Sequence, residues 1–189
     1  MAKVGDLDIE NRVFETTKEL LINHGVKGWN MDELSDAVGV SKRTLYKIIG
    51  NKEDLLFKVT EKNITSDIKE KTDFLHGDSP YPERLNGFCE FITRGFDEFV
   101  LLNANHIVKE YPRIGCVVEK EKEKLNQSFA TFFTLGQEQG YINKDLDVNM
   151  VAVFIQSVIT YNISFCKSSI EFKNKAFPEL EIIIKGIQV

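Results

Sequence analysis

Residues 30–52, NMDELSDAVGVSKRTLYKIIGNK, constrain this chain more than any other stretch. Two short segments of helical period, residues 31–38 and 44–49, are separated by little more than Gly39-Val40-Ser41. Glycine lets the backbone turn without a Cβ penalty, and a serine two positions on offers its hydroxyl oxygen to the free N–H groups of a second helix. Asn30, with Glu33 three positions further, has the form of a capping box and starts the first helix of the pair. This is the pattern of a helix-turn-helix.

The second helix of the pair separates its residues into two faces. Lys42, Arg43, Tyr46 and Lys47 fall on one stripe of a 3.6-residue period, and Leu45, Ile48 and Ile49 on another. One face packs and the other is presented. An ordinary surface helix mixes acids among its bases for pairing, as residues 31–38 do with Asp32, Glu33 and Asp36, but here the acids are missing. The free N–H groups and dipole at such a helix start favour an anion, phosphate included. Lys52 reads the same way: it stands in the first turn of a further helix capped by Asn51, where a base opposes the dipole unless a phosphate lies nearby. The net charge is −5, yet residues 41–52 carry +4 with no acid, so the remainder sums to −9. A basic window in an acidic chain is the charge distribution of a local nucleic-acid footprint.

The rest of the composition excludes several classes. At 42% hydrophobic and 28% charged residues the 189-residue chain is globular rather than disordered, with length for one or two domains. The N-terminus lacks a signal-peptide apolar region, and contiguous apolar runs such as residues 150–155 are too short to cross a bilayer, so a cytoplasmic protein without a membrane partner is expected. Cys89, Cys116 and Cys166 are odd in number, widely spaced and set among apolar neighbours, as reduced core thiols are. His24, His76 and His106 make no metal-binding spacing, and no Ser/His/Asp, Cys/His or glycine-rich phosphate constellation appears. No metal, no cofactor and no enzymatic activity are expected.

Helical periodicity runs through the whole chain. A first helix spans about residues 8–23 and stops at His24-Gly25; a fourth, after the pair, runs from Lys52 to about Leu75. Beyond the loop at residues 76–82, a fifth carries Leu85, Phe88, Ile92, Phe96 and Phe99, a sixth spans residues 103–114 with a break near Pro112, and a seventh spans residues 117–139. The eighth is apolar nearly all round, with Met150, Phe154, Val158, Tyr161 and Phe165 on one side and Ala152, Ile155, Ile159 and Ile163 on another. Such a helix must be covered twice, by its own core and by something else. A last helix opens at Pro178 and carries Leu180, Ile183, Ile184 and Ile187; residues 167–177 do not declare themselves. The expected fold is all-α, about nine helices.

Two runs carry a resemblance to a known family. Gly39-Val40-Ser41-Lys42-Arg43-Thr44-Leu45-Tyr46 followed by Asn51-Lys52-Glu53-Asp54-Leu55, with Gly25 and Met31-Asp32-Glu33-Leu34 before them, resembles the tetracycline-repressor (TetR) family of bacterial transcriptional regulators. The likeness is specific over about residues 10–56. It implies a three-helix DNA-binding head in residues 1–52 and a larger helical dimerisation and effector domain in residues 53–189. By matching position, Ser41, Thr44, Tyr46 and Lys52 are expected to contact phosphates, Lys42, Arg43 and Lys47 the bases or backbone of the major groove, and Asn30 the backbone. Arg43 stands where the family often has a small residue, Trp29 where it has Thr, and Ile49 where it has an aromatic. Trp29 is expected to pack beneath the head in preference to touching the DNA backbone.

The same resemblance implies a homodimer on an operator in double-stranded DNA, a repressor released by a small-molecule effector. The seam is expected on the last two helices, through Ile155, Ile159, Ile163, Leu180, Ile183, Ile184 and Ile187. Thirteen of the fourteen phenylalanines follow residue 56, which suits either an apolar or aromatic effector or simply a Phe-rich core. Phe91, His106, Phe133 and Tyr161 are the effector-binding candidates, lying near core faces without all being needed there. A DNA-binding protein of the same fold with no effector is the alternative.

Overall fold

The computed structural model describes residues 4–189, which form nine helices and no strand beyond a single isolated bridge. The helices are α1 (Val4–His24), α2 (Met31–Val38), α3 (Lys42–Ile49), α4 (Lys52–Leu75), α5 (Tyr81–Ile92), α6 (Glu98–Glu110), α7 (Pro112–Glu138), α8 (Val148–Phe165) and α9 (Ser169–Ile187). They divide into two compact units. The first takes the chain up to Asn63 together with Leu102–Val118; the second takes Ile64–Leu101 and Glu119–Val189.

The first unit is a small helical head. α1 buries Val13, Phe14, Thr17 and Leu21, and the Thr17 hydroxyl is satisfied inside its own helix by donating to the Val13 carbonyl at 2.6 Å. Gly25 ends α1 at φ 67°, a left-handed conformation that costs glycine little. α2 opens with the expected capping box: Asn30 Oδ1 accepts from the Asp32 and Glu33 amides, and the Asn30 amide donates to Glu33 Oε2 at 3.0 Å. Met31, Leu34 and Val38 of α2 are buried with Leu45 and Ile49 of α3 and Leu55, Leu56 and Val59 of α4.

The second unit is built on aromatic packing. Phe88 of α5 meets Phe129, Phe132 and Phe133 of α7 with ring centroids 5.5–5.7 Å apart, and all four side chains are almost wholly buried. Gly136 is required by its neighbour: a Cβ there would come within 2.0 Å of the Tyr81 hydroxyl. A short clasp closes the end of the chain, with the Asn143 amide donating to the Ile187 carbonyl and the Val189 amide to that of Tyr141. Lys71 is buried; it donates to Asp67 and to the Arg94 carbonyl, and its Nζ lies 4.7 Å from the Phe96 ring centroid. Burial pushes the Lys71 ammonium below its ordinary range and the Asp67 carboxyl above its own, each partly opposed by the other.

Several boundaries differ from the periodicity reading. α5 ends at Ile92, because Thr93 caps it and Gly95 turns the chain at φ 81°; Phe96 lies beyond the helix and Phe99 belongs to α6. The break near Pro112 falls between α6 and α7, but residues 112–114 belong to α7, whose first turn does not need the N–H that proline lacks. α9 starts at Ser169, not at Pro178: the Ser168 hydroxyl accepts from the Glu171 amide at 3.2 Å and nucleates the helix nine residues earlier. Pro178 is tolerated inside because it is exposed, so solvent can take up the carbonyl left without a donor. Cys89 and Cys166 are buried as expected, but Cys116 is exposed.

The eighth helix resolves differently again. Taken whole, α8 has the length and composition to cross a bilayer, with mean hydropathy 1.4 over 18 residues, which the short contiguous runs did not reveal. Val151, Ala152, Ile155, Ile159 and Asn162 form one buried ridge, while Met150, Val153, Phe154, Tyr161 and Phe165 are each at least half exposed on the other side.

Candidate nucleic-acid interface

The presented face of α3 is held by what lies beneath it. Leu45 and Ile49 are fully buried, which turns Lys42, Arg43, Tyr46 and Lys47 to solvent; Tyr46 is 49% exposed although it is a large ring. The start of the helix is organised by two hydroxyls. Ser41 Oγ accepts from the Thr44 amide at 3.2 Å and bonds the Thr44 hydroxyl at 2.9 Å. Gly39 closes α2 at φ 74° with its amide shared between the Ser35 and Asp36 carbonyls, so the turn needs no contribution from elsewhere. Gly50 ends α3, and a Cβ there would meet Asp54 Oδ2 at 2.6 Å.

Not every candidate base is free. Lys42 Nζ is 2.6 Å from Asp32 Oδ2, an exposed pair joining α3 to α2, and that hydrogen bond raises the lysine pKa. Arg43 and Lys47 are exposed, and neither makes an ion pair among the described residues. Asn30 is exposed but its Oδ1 is already committed to the cap, which leaves only its amide nitrogen for a further contact.

Lys52 has a structural occupation that the sequence reading did not foresee. Its Nζ donates to the Trp29 carbonyl at 2.5 Å and stands 3.9 Å from the centroid of the Trp29 ring. Trp29 is 3% exposed and packs inside the head, as expected. The ammonium therefore fastens the α1–α2 connection to the first turn of α4, which explains a base at a helix start without any phosphate. Burial lowers its pKa, opposed by the charges of Glu110 and Glu33.

Two further residues of this unit escaped the sequence reading. Lys58 Nζ donates to the Ile48 carbonyl at 3.1 Å, placing a positive charge at the C-terminal end of α3 where the dipole favours it. Arg113, in the first turn of α7, lies 4.1 Å over the Phe57 ring and donates to Asp54 Oδ1 at 3.3 Å. Asp54 Oδ2 in turn accepts from the Asn51 amide, so Arg113 is attached to the residue that caps α4. Nothing in the spacing of Arg113 announces this, since its partners are 56 to 59 positions away.

The effector and seam candidates are dispersed. Phe91 stacks on Phe74 at 4.0 Å between centroids in a shallow groove, Phe133 is a wholly buried core ring, Tyr161 is exposed on α8, and His106 is exposed on α6. No cavity described contains two of them. Of the seam candidates, Ile155, Ile159, Leu180, Ile184 and Ile187 are buried within the chain's own core and Ile163 and Ile183 are half-buried, so the open apolar surface of α8 is the opposite face.

Comparison with known proteins agrees with this geometry. Residues 13–59 match the family model described as bacterial regulatory proteins, tetR family. No curated protein sequence matches. Among solved structures, a transcriptional regulator from Saccharomonospora viridis in complex with choline is similar at 18% identity and TM-score 0.76, over 96% of this chain and 98% of that one. The TetR-family regulator PfmR from Thermus thermophilus is similar at 20% identity and TM-score 0.74, over 92% and 97%. NemR of E. coli in its reduced form is similar at 14% identity and TM-score 0.73, over 96% and 97%. Residues 13–59 thus match the head of the tetR family of bacterial regulatory proteins, and the chain as a whole shares the all-α fold of these solved regulators.

Proposed function

We propose that the chain is a dimeric, sequence-specific DNA-binding regulator that represses transcription and is released from its operator by a small molecule. Residues 1–52 carry the DNA contacts, and residues 53–189 the dimer seam and the effector site. The observation that carries the reading is the face of α3, where Arg43, Tyr46 and Lys47 are exposed around a buried Leu45 and Ile49 with no acid in the helix. Ser41 and Thr44 present hydroxyls to a phosphate at the helix start, Lys42 joins them by exchanging Asp32 for DNA, and Asn30 adds a side-chain amide donor at the start of α2. Lys52 is assigned to holding the head together.

The seam is assigned to the exposed face of α8, through Val153, Phe154, Tyr161 and Phe165. Two such faces meeting about a two-fold axis cover apolar side chains that water otherwise surrounds. Dimerisation sets the distance between the two α3 helices, which must be roughly 34–36 Å, or a multiple, to enter successive major grooves on one side of the duplex. Selection of bound sequences from random DNA at a fixed physiological salt tests the reading: a two-fold site with that half-site spacing is expected, and no enrichment would remove it. The effector-free alternative is favoured by one observation, the filling of the second unit by Phe88, Phe129, Phe132 and Phe133.

A further inference from the structure

We propose that the groove walled by α5, the second half of α7 and the start of α8 binds an organic monocarboxylate with an apolar tail, held by Arg84. Arg84 is only 7% exposed, and no carboxylate pairs with it among the described residues. A buried charge with no counter-ion is costly unless hydrogen bonds or a ligand compensate it. Part of the compensation is internal: Nε donates to the Ser79 carbonyl at 2.9 Å and Nη1 to the Leu75 carbonyl, which caps the C-terminal end of α4, and the guanidinium carbon lies 5.8 and 5.5 Å from the Tyr81 and Phe132 ring centroids. That leaves Nη2 without a protein partner among the described residues, on a side chain that lines a groove of about 580 Å³. The volume lies within the ~300–1,000 Å³ that small-molecule sites occupy.

The lining selects the ligand chemistry. A planar guanidinium with donors to spare matches a carboxylate in geometry and charge. Ala130, Leu135 and Val148, backed by the buried Leu75 and Phe132, supply an apolar wall for a hydrocarbon tail, with His76 at the same groove. Glu138 lines the same groove, is exposed and makes no ion pair among the described residues, so a second negative charge on the ligand is repelled. A singly charged acid fits this combination better than a phosphate.

Octanoate is a suitable probe, with octanamide as its uncharged counterpart, and binding is measured by calorimetry on the full chain without DNA. This site deepens the effector reading, but because the assay contains no operator its failure leaves the DNA-binding assignment standing. Octanoate is expected to bind the wild-type chain and octanamide to bind ~10- to 100-fold more weakly, the loss expected of a charge-assisted contact. Thr134→Trp fills the groove from an exposed position whose hydroxyl bonds only to its own helix, at the Ala130 carbonyl, so the fold is retained and octanoate binding lost. Ile170→Ser, at an exposed position near the start of α9 outside the groove, should leave octanoate binding unchanged. Arg84→Gln should weaken it as octanamide is weakened; should that variant unfold through loss of the α4 cap, the Thr134→Trp and octanamide results decide. No binding to the wild type, equal binding of octanamide, or unchanged binding by Thr134→Trp would overturn the proposal.

Discussion

Helices α3 and α8 each bury one face and expose another, but their sequences distribute the two faces in opposite ways. In α3, eight residues carry two chemically distinct faces, apolar Leu45 and Ile49 against basic Lys42, Arg43 and Lys47, so burial of one face determines the exposure of the other. In α8 both faces are apolar, and the sequence leaves open which packs against the chain's own core. The structure buries Ile155 and Ile159 and exposes Phe154 and Tyr161. A polarised helix announces its partner, whereas an unpolarised one announces only that a second partner exists.

The largest expected effect sharpens that contrast. Ile159 is 2% exposed and Ile184 5%, so Ile159→Glu or Ile184→Glu places a carboxylate in the core of the second unit, at a cost of about 4 kcal/mol or more. Loss of cooperative thermal unfolding by circular dichroism is expected, not a folded monomer. Phe154→Glu, on the opposite face, should retain the helical signal and melt normally while light scattering reports half the mass. A folded Ile159→Glu monomer would reverse the assignment of the two faces.

The head is tested at a smaller scale. Arg43→Ala and Lys47→Ala should each weaken operator binding, by ~1–3 kcal/mol if a base contact is lost, and leave the melting temperature unchanged. Lys52→Met is expected to behave differently from both. Losing the bond to the Trp29 carbonyl and the contact with its ring should cost about 1–2 kcal/mol of head stability. The two roles separate by salt dependence: a phosphate contact would lower the slope of log K against log salt by ~1 with no change in melting.

What could be read in advance follows the same division. The capping box of Asn30 and Glu33, the Ser41 cap and the two faces of α3 are local, set by residues three or four apart, and each stands where periodicity puts it. Of the two expectations for Trp29, packing beneath the head is the one its 3% exposure matches. The partner of Lys52, 23 positions away, cannot be seen from spacing, so the dipole argument leaves out the bond to the Trp29 carbonyl. The start of α9 was misplaced because Pro178 is a strong signal and the Ser168 cap a weaker one, while an exposed proline is tolerated in the helix. Phe91, His106, Phe133 and Tyr161 shared only a composition, and composition does not bring side chains together. From sequence alone Arg84, an arginine one turn into a helix, looks like any solvated base, and only its 7% exposure sets it apart.

The smallest effect distinguishes the sealed core from the head by its thiols. Cys89 and Cys166 are buried in the second unit, and burial pushes the Cys89 thiol from its ordinary 9.0 up to about 11. At pH 8 only roughly one Cys89 in a thousand is then the reactive thiolate. Cys116 is exposed in the first unit. Iodoacetamide on the native chain at pH 8 should therefore modify Cys116 alone, with Cys89 and Cys166 reacting only after denaturation, as mass spectrometry of the peptides would report. The same raised value carries a sign for stability. Because the folded chain holds the Cys89 proton more tightly than the unfolded one, its contribution is complete below pH 9 and is lost as pH rises through about 11. Cys89→Ala should flatten the alkaline limb of the stability curve, and Cys116→Ala should leave it as it is; an equal response in both variants would show that the second unit is not the sealed partner of this comparison.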